Sequence, residues 1–444
     1  MSARTLAAAV MTAALAGPAT AQMPPHPLPL GGGAGPAVAP IPPGVPPGAE
    51  YAPPGFGYPA GGYPAGGCPP GLLDEIGQHR GPKSWIGAEY LLYWTKNMPL
   101  GTPIATGGPA GGFATLGAAG TQVVLGNEDI NFREQHGLRI HGGTWLTDAW
   151  AVEASLFLLP SKDFTLGPVT ATDTLPTLAR PFFDTSVRGQ NVRLISRPGA
   201  FTGSVKAEAT TGLWGGEIGP VLRMVDRGGS YTLDGIFAFK HVSLEESLQI
   251  TDSARAGPLG VANFNGTAFR NGTTTFVEDY FSTTNRIYAA TIGGRLNLHV
   301  DAFTLSLTSK LGLGVNEQSV RADGSTHLIG TNPFLAPVKV GGGLLAVGPN
   351  VGKFSRSDFV YMPELNLNLA VQLTPHLTLS FGYNFLYISD VVRPGDQLAS
   401  PINPVFIPTS QNFGGQFGQK LPAAEFNTSS YWANGFNLGL AVGF

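Results

Sequence analysis

Cysteine is nearly absent from this 444-residue chain, with Cys68 standing alone. One thiol excludes an intramolecular disulfide framework and a zinc cluster of several cysteines. It leaves an intermolecular disulfide or an idle thiol. Charge is scarce too: Asp, Glu, Lys and Arg make up 12% of the residues, about half of the ~25% usual in soluble domains. The net charge of −3 gives no electrostatic case for a nucleic-acid partner. Long hydrophobic runs are missing as well. No stretch after the first 22 residues approaches the ~18 uninterrupted apolar residues of a membrane-crossing helix.

What the chain has instead is glycine, 62 in all, and proline, 38 in all, much of the latter before residue 83. The opening "MSARTLAAAVMTAALAGPATAQ" carries Arg4, a short apolar run and an Ala19-Thr20-Ala21 cleavage site. That is the pattern of a secretory signal peptide, residues 1–21. Residues 22–83 are low complexity, with "YPAGG" twice in tandem from Tyr58. Proline removes donors and glycine multiplies unfolded states, so this segment is expected to be a disordered tether. It reads either as a plain spacer or as a contact to the cell wall.

From Ser84 to Phe444 the pattern changes to period two. Ten segments show it: from Trp85, Gly137, Trp150, Gly212, Tyr231, Arg286, Phe303, Tyr361, His376 and Tyr431. Alternation over 8–12 residues predicts strands with two unlike faces, long enough to cross a bilayer at a tilt. The connections alternate as well. Short ones ("TDA", "DRGGS", "HVDA", "TPH") are interleaved with long ones at about 97–131, 160–211, 251–285, 316–359 and 391–430. Short turns at one end and long loops at the other are the anatomy of an outer-membrane barrel. The expected fold is an all-β, antiparallel, ten-stranded transmembrane barrel. Twelve strands is the alternative if "TQVVL" from Thr121 and "SVKAEATT" from Ser204 join the wall. Both termini then lie on the short-turn, periplasmic side.

The more polar face of the segments carries Glu89, Arg139, His141, Glu153, Glu217, Arg223, Arg295, Lys310, Glu364 and Gln372, which are the candidates to face the lumen. The other face ends in aromatics: Trp94, Tyr387 and Trp432 at long-loop ends, Trp150, Tyr231 and Phe444 at short-turn ends. Trp432 to Phe444 is twelve steps, about 40 Å of strand, or about 28 Å of height at ~45° tilt. That spacing suits two aromatic girdles. Ten strands leave a lumen largely filled by side chains, so a closed or very narrow passage is expected ahead of an open one.

Catalytic and metal patterns fail one by one. In "HVSLEES", His241 precedes Ser243 by two, as in outer-membrane phospholipases, but the Asn-Gly that should follow is missing. Asp323 and His327 read as a solvated pair. His136 and His141 fall on opposite faces of one strand, so they do not converge on a metal. "VGGGLLAVG" from Val340 lacks the Lys-Ser/Thr of a phosphate loop. No enzyme activity and no cofactor are expected.

Several phrases are distinctive: "WIGAEYLLYW" from Trp85, "RIYAATIGGRLNLHV" from Arg286, "KLGLGVNEQSVRADGST" from Lys310, and "GYNFLYISDVVRPGDQ" from Gly382 with "INP" after it. Over residues 84–444 the chain resembles β-barrel porin family seven, an outer-membrane family typical of planctomycete bacteria. The resemblance implies a cell-envelope barrel and brings no catalytic residues. In "SDVVRPGDQ", Arg393 and Asp396 are expected to pair locally around Pro394-Gly395, in a segment that caps its strand or folds into the mouth. The expected partners are outer-membrane lipid and, through the closing "NGFNLGLAVGF", the assembly machinery of that membrane. Passive passage of small solutes is the leading expected function; the alternative is a closed anchoring barrel that presents long surface loops and a periplasmic tether.

Overall fold

The computed structural model describes residues 82–227, 229–330, 337–399 and 401–444. The expected signal peptide, the expected tether up to residue 81, and Cys68 lie outside these. Ten strands form the wall: β1 (Ser84–Thr95), β2 (Glu134–Trp145), β3 (Trp150–Thr170), β4 (Phe201–Asp226), β5 (Tyr231–Ala256), β6 (Thr274–Val300), β7 (Phe303–Ile329), β8 (Gly352–Gln372), β9 (Leu377–Val392) and β10 (Thr428–Gly443). Each pairs antiparallel with its sequence neighbour, and β1 pairs with β10, so the sheet closes into a ring. At the seam Trp85 faces Gly443 and Thr95 faces Ala433. The last residue is bonded in: Phe444 N–H donates to the Ser84 carbonyl at 2.8 Å and Ser84 N–H to the Phe444 carbonyl at 2.9 Å. In the lower ring closure leaves no unpaired backbone edge, which lipid would penalise heavily; above it, β3 beyond Leu158 pairs only with β4, and β8 before Glu364 pairs only with β7.

The strands are far longer than the period-two segments suggest. β6 and β7 each have 27 residues, about 89 Å at ~3.3 Å per residue, well beyond a bilayer. Much of the sequence expected as long loops is therefore wall: 160–170, 201–211, 251–256, 274–285, 316–329 and 352–359. The reason is an inversion of polarity partway along each long strand. The lower half of β7 points Leu307, Leu311, Leu313 and Val315 outward, while its upper half points Glu317, Ser319 and Arg321 outward and buries Val320 and Ala322 inside. In β5, Phe237 and Phe239 face out below, whereas Leu248 and Ile250 face in above. Below the switch the outer face suits lipid; above it the wall is patterned as a water-soluble barrel, apolar inside.

The ring holds ten strands, not twelve. "SVKAEATT" is the upper part of β4. Gln122–Gly126, within "TQVVL", belongs to a separate five-stranded sheet with Pro103–Gly108, Thr177–Asp184, Gly189–Ser196 and Pro401–Ile402. This sheet, built from long-loop segments, packs inside the upper wall, where its Arg180 and Arg193 both reach Asp252 of β5. Its core continues into the barrel mouth: Leu100, Ile104, Phe132 and Phe182 from the connections pack with Val205, Leu248, Val277 and Phe281 of the wall.

Candidate functional site in the lumen

The lower lumen holds a layer of charge. On β1 and β2, Glu89 accepts from Arg139 Nη1 at 3.0 Å, and Arg139 also reaches Asn384 at 3.2 Å and the Tyr93 hydroxyl at 3.1 Å. His141 Nδ1 stands 3.6 Å from Glu89. Across the barrel, Arg295 on β6 makes a two-pronged pair with Glu153 on β3, at 2.7 and 2.6 Å. Lys240 on β5 bridges Glu364 at 2.5 Å and Glu217 at 3.3 Å; Lys310 on β7 contacts the same two carboxylates, that of Glu364 at 3.5 Å. Four carboxylates thus meet four basic side chains. Strand parity brings them together, because each sits on the inward set of its strand. Below them Arg223 donates to Asp234 at 2.5 Å and lies over the Trp145 ring at 4.5 Å. Gln372 is exposed at the short-turn rim, beside Pro82 and His376.

These groups line a cavity of about 350 Å³ that also exposes Asn366, Asn368 and Asn384. With equal numbers of each sign it carries no strong net field, so it is not built to attract one charge type. It continues toward the short-turn mouth through a second recess that shares Trp85, Glu153, Arg295 and Thr378.

Above the charge layer the lumen is apolar, which the sequence analysis did not anticipate. Leu91, Phe157, Leu159, Leu213, Val242 and Met362 point inward and touch one another, with Ile287, Ile388 and Tyr431 completing the layer. Most are wholly shielded from solvent. Ten strands are few enough for side chains from opposite walls to meet.

Directly above lies the "SDVVRPGDQ" segment, and it runs inside the barrel. A register shift between Ile388 and Val391 turns it inward. Asn285 on β6 then clamps Val392, donating to its carbonyl at 2.8 Å and accepting from its N–H at 2.9 Å, while Asn316 on β7 donates to the Asp390 carbonyl at 2.8 Å. The expected Arg393–Asp396 pair is replaced by a longer-range one. Arg393 donates to both oxygens of Glu246 on β5 at 2.6 and 2.7 Å, and to the Asn97 carbonyl at 2.6 Å. Both side chains of the pair have 0% exposure. Asp396 instead accepts from Ser429 at 2.9 Å, and burial pushes its carboxyl above the ordinary value. The local pair fails because the chain turns inward at Val391 and carries Arg393 to Glu246, whose sequence position gave no hint of nearness.

The glycine-rich run from Val340 has a related use. The backbone N–H groups of Leu344, Leu345 and Ala346 all donate to Asp279 Oδ1, at 2.8–2.9 Å. The other Asp279 oxygen accepts from Arg180 at 2.7 Å, and Arg180 also reaches Asp252 at 2.9 Å. A backbone nest of this kind binds anions, and here the anion is the chain's own carboxylate.

Of the six aromatics, Trp94, Trp150 and Tyr231 are exposed on the outer face, and Phe444 is exposed at the short-turn rim, beside Thr304 and His376; Tyr387 and Trp432 are partly buried on the outer face, directly opposite each other in register. His241 also lies on the outside, between Trp214 and Tyr288 at 5.0 and 4.8 Å. His136 stacks on Tyr90 outside while His141 is inside. Asp323 accepts from Arg321 at 2.6 Å, and His327 sits 3.3 Å from Ser325. Among the described residues no group of three or more His, Cys, Asp or Glu is placed to hold a metal. Sequence reasoning missed Lys240, Asp234, Glu246 and Asp279. Lys240 and Asp234 were within reach, since they share inward parity in a segment already read as a strand. Glu246 and Asp279 lie above the polarity switch, where no period-two signal marked a strand.

No curated protein matches this chain. Among solved structures, the outer-membrane protease OmpT of Escherichia coli is similar over 82% of this chain and 97% of its own, at 8% identity and a TM-score of 0.33. A Pseudomonas aeruginosa FadL homologue is similar over 81% and 90%, at 8% identity and a TM-score of 0.22. The toluene transporter TbuX of Ralstonia pickettii is similar over 82% and 90%, at 9% identity and 0.18. These likenesses are too low to carry an argument about function. The family model described as "Putative beta barrel porin-7 (BBP7)" matches residues 85–444, which is the whole barrel from the second residue of β1 to the terminal Phe444. The chain therefore belongs to that outer-membrane β-barrel family.

Proposed function

We propose that this protein is a closed outer-membrane barrel whose long-loop end is filled by a small folded sheet, with its short turns and both termini in the periplasm. It does not act as an enzyme. The observation that carries this reading is the apolar layer across the lumen, sealed above by the Arg393–Glu246 segment. Water and ions cross a pore through polar gaps, and side chains with no solvent exposure leave none. The polar cavity below the layer is then a vestibule that ends blindly. The C-terminal strand, bonded to β1 through Phe444, is the part offered to the assembly machinery. A segment before Pro82 would emerge on the periplasmic side, where contact with the cell wall is open to it.

Purified, heat-modifiable protein in a planar bilayer tests this. The expected result is silence under moderate voltage. Stable ohmic steps from folded protein would overturn it.

Passive passage of small solutes is the second reading, favoured by the charged cavity of about 350 Å³ and by the porin named in the family description. It requires the inward-folded segment and the apolar layer to part. Conductance in an Arg393→Ala variant, where the unaltered protein is silent, would support this gated version.

A further inference from the structure

A groove of about 470 Å³ lies on the outer wall where β6, β7 and β8 run side by side. Its outward lining is polar and includes three cations, Arg286, Arg321 and Lys353; Arg356, of opposite parity on β8, donates to the inward-facing Gln318 at 2.8 Å. Register sets out its floor in rows. Arg286 faces Glu317, which faces Ser357; Arg321 faces Lys353. The next outward row toward the short turns is Tyr288, Val315 and Phe359, all exposed. The groove therefore begins where the lipid-facing surface stops, on the same face of the same three strands.

Height agrees with that position. Arg286 is two residues from Tyr288, and Lys353 is six from Phe359. At ~3.3 Å per residue and ~45° tilt these lie roughly 5 and 14 Å above the apolar edge. That is the band occupied by lipid headgroups. The electrostatics ask for an anion. Arg321 and Lys353 are like charges directly opposite each other on one face, which destabilises a sheet unless something negative comes between them. Two carboxylates share this face: Glu317, and Asp323 at 2.6 Å from Arg321. Exposed pairs of this kind are weak. A phosphate, with several strong acceptor oxygens, competes well for guanidinium and ammonium donors, and Ser355 and Ser357 add hydroxyls.

We propose that this groove holds the phosphate-bearing headgroup of a lipid in the leaflet at the long-loop end, its acyl chains lying on Tyr288, Val315 and Phe359. The proposal rests on the barrel's place in the outer membrane and not on whether the lumen is closed. Native mass spectrometry of the purified protein tests it, with phosphatidic acid and phosphatidylcholine of identical chains as probes. The protein is expected to retain phosphatidic acid preferentially. An Arg321→Gln/Lys353→Gln variant is expected to lose roughly 30-fold of that preference, the weight of two basic residues at a membrane surface. If the double variant misassembles, Lys353→Gln alone carries the same comparison. Equal retention of the two lipids, or an unchanged preference in folded variants, would refute the site. Full displacement of the lipid by inorganic phosphate would also overturn it, since that would mark a free-anion site.

Discussion

The Arg393–Glu246 pair offers the sharpest test of what holds the inward-folded segment in place. Replacing Arg393 by alanine removes two hydrogen bonds to Glu246, at 2.6 and 2.7 Å, and one to the Asn97 carbonyl at 2.6 Å. Glu246, 3% exposed, is then left without its cation and held by the Thr211 hydroxyl at 3.1 Å. Removing one partner of a buried pair costs about 3–5 kcal/mol, because the remaining charge is uncompensated. Glu246→Gln, which leaves the cation behind, is expected to cost a similar amount. The double change Arg393→Ala/Glu246→Gln removes both charges and is expected to recover at least half of the sum of the two single losses. The assay is urea unfolding in lipid vesicles, read by tryptophan fluorescence, for all four members of the cycle. Strict additivity, or a loss below about 1 kcal/mol in either single variant, would show that the inward-folded segment is not held by this pair.

Other outcomes follow from the same geometry. Gly382→Ala would place a methyl group against the Asn368 amide and 2.6 Å from the Leu367 carbonyl; folded yield should fall, with a loss of about 1–3 kcal/mol in unfolding experiments. Asp279→Ala should free the Leu344–Ala346 backbone and leave Arg180 with Asp252 alone, so that limited proteolysis cuts within 337–351 while the barrel stays heat-modifiable; an unchanged cleavage rate would count against the nest. Phe444→Ser keeps both backbone bonds to Ser84, so refolding in vitro should be normal while assembly in cells drops. Full assembly in cells would remove the terminal aromatic from the recognition signal.

The barrel was legible in the sequence because lipid imposes one rule over many residues. Every second side chain from Ile86 to Trp94, or from Phe436 to Phe444, must be apolar, and that regularity survives without knowledge of neighbours. The facing of Glu89, Arg139, Glu153, Glu217, Arg295, Lys310 and Glu364 came with it, since parity on one strand fixes both faces. The upper halves of the strands were not legible. There the solvent outside is water, the polar set moves outward, and segments such as Ser204–Thr211 lose contrast with true loops. Loop chemistry was harder still. Arg393 looks like a partner for Asp396 three residues on, and nothing along the chain points to Glu246, 147 residues away.

The sequence by itself determined the ring: strand positions, their inward and outward sets, the alternation of short and long connections, and the closing strand that ends on Phe444. Those follow from period-two patterning and turn chemistry, which are local. Only the tertiary structure decided how the interior is filled. Leu91, Leu213 and Met362 belong to different strands, and their contact depends on the ring's diameter. The carboxylates of Glu246 and Asp279 choose partners across loops that fold back into the mouth. Sealing is a property of which side chains meet in space, and that is settled by closure of the barrel and not by any one strand.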